Sequence, residues 1–177
     1  TRRLDTFRWG LIPAWAKDPA IGSRMINARA ETVAQKPSFK RPLRRQRCLV
    51  LADGFYEWQK TPQGKIPVYI HLEAHRPFAF AGLWDRWVSA EGEALYTCTI
   101  LTTRPNDLLA PIHNRMPVIL TPEAVEAWLS PVEQAPQSLL PLLRPYPAEA
   151  MTCYPVSRLV NSPANDLPDC IRPLPAA

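Results

Sequence analysis

Twenty-one prolines stand against six glycines in this 177-residue chain, and they run from Pro13 to Pro175 without a fixed period. Proline locks φ and offers no N–H, so it is tolerated in a first helical turn, an edge strand or a loop and breaks regular structure elsewhere. Long uninterrupted helices are thereby excluded, and coiled coils and helical solenoids with them. No apolar run approaches the ~18 residues that a membrane-spanning helix needs, so no membrane attachment is expected. Hydrophobic residues at 46% and charged residues at 21% lie near the globular average and argue against wholesale disorder. With no internal repeat and no linker-like stretch, one mixed domain over residues 1–177, built on a meandering antiparallel sheet with short helices, is the simplest fold.

Local signals place the elements. Asn27 to Gln35 predicts a short helix with Asn27 near its N-cap and Pro37 as its stop. Cys48 to Ala52 and Phe55 to Gln59 flank Asp53-Gly54, a strong two-residue hairpin signal. Further strands are predicted at Pro67 to Leu72, Phe78 to Trp84, Leu95 to Thr103 and Met151 to Val156. Short helices are predicted at Pro105 to Leu109, at Pro122 to Leu129 behind Thr121, and at Ser138 to Leu143. The tail from Val160 to Ala177 reads as a proline-rich wrap.

Lysine and arginine total 21 against 16 acids, a net charge of +5. Most of the cations are arginine, whose planar fork pairs with phosphate and stacks on bases, so an anionic partner such as nucleic acid is suggested beside the plainer reading of a solvated basic surface. The segment Phe39 to Arg47 is basic, with Lys40, Arg41, Arg44, Arg45 and Arg47, and its Arg41 to Arg47 run could extend a phosphate track. Cys48, Cys98, Cys153 and Cys170 form no C-x-x-C pair and have no histidine at ligand spacing, which argues for small buried hydrophobes in a reduced, non-secreted protein rather than for zinc. No metal and no cofactor is expected, since phosphate-loop, dinucleotide, Gly-x-Ser-x-Gly and His-Glu-x-x-His motifs are all missing.

His71 and His75 read as structural or solvent-facing, but His113 lies in a proline-bounded loop two residues from Arg115. Glu57 stands among Phe55, Tyr56 and Trp58. A carboxylate in such company is either ion-paired or has a raised pKa suited to proton transfer. Core packing is the expectation for Trp9, Trp58 and Trp128.

Five blocks carry a resemblance. Arg8-Trp9-Gly10-Leu11-Ile12-Pro13-Ala14-Trp15, Asn27-Ala28-Arg29-Ala30-Glu31-Thr32, the stretch from Arg47 to Trp58, His113-Asn114-Arg115-Met116-Pro117, and Val156-Ser157 with Val160-Asn161 together resemble the SOS response-associated peptidase family. The resemblance implies an α+β domain with a mainly antiparallel, barrel-like β core flanked by short helices. It further implies sensing of abasic sites in single-stranded DNA through a covalent thiazolidine crosslink to an N-terminal cysteine, exposed by autoproteolytic removal of the initiator methionine. Carried over by position, the catalytic residues are Asn27, Glu57 and His113, the phosphate-contacting arginines are Arg29 and Arg115, and the base-stacking residue is Trp15.

The family's Met-Cys-Gly-Arg start has no counterpart in a chain that begins at Thr1, so an N-terminal segment is expected to be lacking and the 177 residues alone are expected to be inactive in crosslinking. The implied partner is abasic single-stranded DNA, with no membrane and no obligate protein partner. The implied location is the cytoplasm, at the nucleoid in a bacterium, or the nucleus in a eukaryote. Two alternatives stay open: a thiol peptidase acting on other proteins, and a non-catalytic reader of single-stranded or modified DNA.

Overall fold

The computed structural model describes residues 2–175, in the order β1 (Arg8–Trp9), β2 (Asn27–Arg29), α1 (Pro37–Arg45), β3 (Arg47–Ala52), β4 (Phe55–Thr61), β5 (Gly64–Leu72), β6 (Phe78–Val88), β7 (Ala94–Thr103), β8 (Met116–Pro117), α2 (Pro122–Trp128), α3 (Pro136–Leu139) and β9 (Met151–Pro155). Short 3₁₀ turns fill much of the remainder. The class is α+β, as expected, with the strands in two sheets, neither of which closes on itself among the described residues. Ala176 and Ala177, the end of the predicted proline-rich wrap, lie outside the described residues.

The chain divides into two units, the first holding residues 1–50, 79–103 and 117–144. Its sheet runs β1-β7-β6-β3, with β2 and β8 also on β7. β6 and β7 pair antiparallel from Gly82↔Ile100 to Val88↔Ala94, whereas β1 and β2 lie parallel to β7 at Arg8↔Thr97 and Asn27↔Ile100. Between β1 and β2 the chain leaves the sheet on an excursion closed at its base by two glycines. A Cβ on Gly10 would lie 2.6 Å from the Gly22 carbonyl oxygen, and one on Gly22 would lie 2.8 Å from the Gly10 oxygen. Gly10 also has φ +112°, which L side chains rarely adopt. Beneath the sheet, Leu11, Leu43, Leu83, Leu101, Val118 and Trp128 are fully buried in one core.

Pro37 does not stop a helix but opens α1 at its first turn, where a missing N–H costs nothing. Phe39 and Leu43, four residues apart, bury that helix's apolar face. Arg47 then joins two helix ends. Its guanidinium donates to Leu43 O (3.0 Å) and Arg44 O at the end of α1, and to Trp128 O (2.7 Å), Ser130 O (2.6 Å) and Val132 O (3.2 Å) at and beyond the end of α2. Carbonyls orphaned at helix C-termini are thus satisfied by one cation. At the other end of α2, Thr121 caps as predicted, its hydroxyl accepting from Ala124 N–H at 3.4 Å.

The second unit holds residues 51–78, 104–116 and 145–177. Its sheet is β4-β5-β9, antiparallel throughout. The register sets Tyr56 beside Tyr69 and Tyr69 beside Tyr154, and their rings follow at centroid distances of 5.3 and 5.8 Å. The predicted Asp53-Gly54 hairpin does not form. β3 belongs to the larger sheet and β4 pairs with β5, so the two-residue loop falls at Pro62-Gln63, closed by Thr61↔Gly64. Gly54 serves a different end, because a Cβ there would lie 2.2 Å from the Tyr69 ring.

Candidate functional site

In β4 the side chains alternate, so Phe55, Glu57 and Gln59 share one face and Tyr56 and Trp58 the other. Trp58 Nε1 donates to Asn161 Oδ1 (2.8 Å) and the Tyr56 hydroxyl to Cys170 O (3.3 Å), which fastens the C-terminal segment to the aromatic face. The opposite face meets the loop that carries His113. Gln59 Nε2 donates to Pro111 O at 3.4 Å, and Glu57 Oε1 lies 3.6 Å from His113 Nδ1. Asn106 shapes the approach to that loop. Its Oδ1 accepts from Leu109 N–H (3.0 Å), its Nδ2 donates to Tyr146 O (2.8 Å), and His113 N–H closes on Leu109 O (2.9 Å).

Glu57 and His113 form a half-buried pair, with side chains 22% and 42% exposed. Burial pushes the Glu57 carboxyl above its ordinary range, opposed by the charge of His113 and by a hydrogen bond to the Trp58 backbone. The Arg115 N–H lies 3.2 Å and the Arg115 carbonyl oxygen 3.1 Å from His113 Nδ1. Neutral imidazole with its proton on Nε2 accepts from that N–H. Imidazolium instead turns an Nδ1–H toward the carbonyl or Glu57. A carboxyl held toward its protonated form beside an imidazole nitrogen that can accept or donate makes a pair suited to proton transfer. The structure thus brings together three of the predicted residues, Glu57, His113 and Arg115.

In the first unit, Asn27 and Arg29 are exposed on either side of Ala28, which is 2% exposed. The predicted helix over Asn27 to Gln35 is replaced at its start by β2. Pairing with the edge of β7 engages the backbone, with Ala30 N–H donating to Thr102 O at 2.9 Å, and residues 30–35 turn before α1 begins. Alternation along β2 puts Asn27 and Arg29 on one face. Trp15 sits in a turn closed by Ala16 N–H to Pro13 O (2.8 Å) and is 61% exposed. Trp128 is core, as predicted, but Trp9 is 57% exposed with its Nε1 donating to Ile26 O (2.7 Å). Two-residue β1 has too little sheet behind it to cover an indole.

The basic run is not a continuous phosphate track. Arg47 is buried among carbonyls, and of the four exposed members of the run, Lys40, Arg41, Arg44 and Arg45, the last two pair with Glu133. His71 is buried, its ring stacked on His75 at 4.0 Å. The four cysteines are free thiols, and burial raises Cys48 to about 12 and raises Cys98 and Cys153 as well, so thiolate nucleophiles are disfavoured there. Among the described residues no helix is long and apolar enough to cross a membrane, and no group of three His, Cys, Asp or Glu side chains could hold a metal ion.

A mixed α+β chain bearing an acid–imidazole pair and exposed arginine and tryptophan side chains has known counterparts. The family described as SOS response associated peptidase (SRAP) matches residues 1–163. The chain is 55% identical over 170 residues to the abasic site processing protein YoqW of Bacillus subtilis (strain 168), covering 96% of this chain and 76% of that protein. It is 39% identical to the abasic site processing protein HMCES of Gallus gallus, covering 98% of this chain but 58% of that protein. A crystal structure of a protein from Bacteroides thetaiotaomicron superposes with a TM-score of 0.88 at 36% identity, covering 95% of this chain and 75% of that one. The chain belongs to the SOS response associated peptidase family.

Proposed function

We propose that this protein senses abasic sites in single-stranded DNA and becomes linked to them covalently. The Glu57–His113 pair carries the reading, because the chemistry needs a group that is protonated in one step and basic in the next, and burial shifts Glu57 toward its protonated form beside an imidazole 3.6 Å away. The ring-opened abasic sugar presents an aldehyde. A terminal amine adds to it, and the carbinolamine loses its hydroxyl as water once a proton reaches that oxygen, leaving an imine. The thiol of the same terminal cysteine then adds to the imine carbon, the nitrogen takes the thiol proton, and a thiazolidine results. Glu57 would supply and recover the proton during imine formation, His113 would assist sugar-ring opening or later reversal, and Asn27 would orient the amine.

Arg29 and Arg115 would hold phosphates while Trp15 stacks on a base, in a protein working wherever cellular DNA is held, nucleoid or nucleus. The cysteine would come from a Met-Cys-Gly-Arg start upstream of Arg8, freed by autoproteolysis. None of Cys48, Cys98, Cys153 or Cys170 can replace it, since the amine and the thiol must share one residue. Their raised thiol pKa values at Cys48, Cys98 and Cys153 also weigh against a thiol peptidase acting on other proteins.

The test compares the 177-residue chain with a version extended to the Met-Cys-Gly-Arg start, each mixed with abasic or intact single-stranded oligonucleotide and run on a denaturing gel without borohydride. The extended protein is expected to shift only the abasic strand, while the 177-residue chain holds DNA without linking. Equal crosslinking by both would overturn the terminal-cysteine chemistry and send the search to an internal lysine or cysteine.

A further inference from the structure

Trp15 is held in place from below by side chains of a single hairpin. Asp85 and Thr97 face each other across the β6–β7 ladder. Asp85 is 4% exposed and Thr97 0%. The Thr97 hydroxyl accepts from Ile12 N–H (2.8 Å), Asp85 Oδ2 accepts from Ala14 N–H (3.0 Å), and Trp87 Nε1 donates to Ala16 O (2.8 Å). Three alternate residues of the excursion are therefore pinned, two of them the immediate neighbours of Trp15. The second Asp85 oxygen accepts from Gln46 Nε2 (3.0 Å) and Arg86 N–H (2.8 Å). With the turn closed by Ala16 N–H to Pro13 O and its base closed by Gly10 against Gly22, little backbone freedom remains on either side of Trp15.

A buried carboxylate is expensive unless hydrogen bonds compensate it, and an apolar residue at the same place would pack a strand as well. What the carboxylate does that an apolar residue could not is grip the Ala14 backbone. We infer that Asp85, with Trp87 and Thr97, is a positioning residue for DNA binding, which preorganises the Pro13–Ala16 turn so that Trp15 meets a base without first being ordered. The inference rests on the base-stacking role proposed for Trp15. Preorganisation of this kind improves affinity by lowering the ordering cost of binding rather than by adding a contact.

Asp85→Asn is the selective perturbation. The orientation of the new amide that keeps the Gln46 and Arg86 bonds points its NH₂ at the Ala14 N–H, donor against donor, so the turn is released while the sheet is retained. Trp87→Phe removes only the bond to Ala16, and Thr97→Val only the more distant one to Ile12.

Single-stranded DNA affinity is measured in a double-mutant cycle with Trp15→Ala, and ¹⁹F spectra of 5-fluorotryptophan-labelled protein without DNA report on the Trp15 resonance, assigned with Trp15→Phe. Trp15→Ala is expected to weaken binding by about tenfold or more. Asp85→Asn and Trp87→Phe are each expected to weaken it by about threefold in the parent and hardly at all in the Trp15→Ala background, with Thr97→Val smaller. The Trp15 resonance should shift or broaden in the first two. Equal weakening in both backgrounds, or an unmoved Trp15 resonance, would overturn the positioning role. An unchanged affinity in Trp15→Ala would instead sink the stacking role, leaving the ¹⁹F spectra to decide whether the clamp orders the turn. Should Asp85→Asn unfold, Trp87→Phe decides the outcome by the same criteria.

Discussion

Glu57→Gln keeps the size of the side chain and removes its titration, so it separates proton transfer from charge pairing. Burial holds the Glu57 carboxyl above its ordinary value of 4.5, against the pull of His113 3.6 Å away. The folded chain therefore binds this proton more tightly than the unfolded chain does. Stability from this group is fully present below the unfolded carboxylate range and is lost as pH rises through the folded value. Each tenfold difference in proton affinity corresponds to about 1.4 kcal/mol. The Gln variant is accordingly expected to melt higher than its parent near pH 7 and to converge with it below about pH 4.

Catalysis should move the other way. Loss of a positioned acid–base group typically costs ~10²–10⁴ in rate, about 3–5 kcal/mol of barrier. A partly exposed ion pair such as Glu57–His113 contributes at most ~1 kcal/mol. The assay is single-turnover adduct formation against pH at saturating abasic DNA, using protein extended to the Met-Cys-Gly-Arg start, with melting temperature and DNA affinity taken from the same samples. If Glu57 only pairs with imidazolium, the variant loses stability where His113 is charged and crosslinks at the parent rate. A parent rate across about pH 5 to 9 would refute proton transfer by Glu57 and leave His113 as the remaining acid–base group.

Arg29→Ala and Arg115→Ala are each expected to lower the log–log salt slope of single-stranded DNA binding by roughly 0.7. Arg45→Ala, whose guanidinium already pairs with Glu133, should leave that slope unchanged, and titrations by fluorescence anisotropy over a range of salt concentrations check all three. Arg47→Lys keeps the charge but cannot reach carbonyls at both helix ends, so it is expected to destabilise the fold by roughly 2–4 kcal/mol in urea unfolding with DNA salt dependence intact; a stable variant with a lowered slope would restore Arg47 to the phosphate track.

What could be read in advance divides along the range of the physical signal. The proline-opened α2 with its Thr121 cap, a strand over Pro67 to Leu72 within β5 and the loop placing of His113 rest on neighbours a few residues away, and they were legible. The partners of β2 and β4 were not, because a β7 edge and a β5 register lie far off in sequence and outweighed an N-cap and a hairpin turn that were sound by local rules. Burial of charge was the least legible. Arg47 read as one more member of a basic run, and Asp85 lay just past the predicted end of its strand at Trp84. Extending β6 by its alternation would have put Asp85 on the inward face with Leu83, which is a detectable oddity. Both residues are held by backbone groups rather than by opposite charges, Arg47 by carbonyls at two helix ends and Asp85 in part by the turn of Trp15. A charge whose partners are peptide groups leaves no complementary charge in the sequence to signal it, so such residues surface only when the backbone they hold is known.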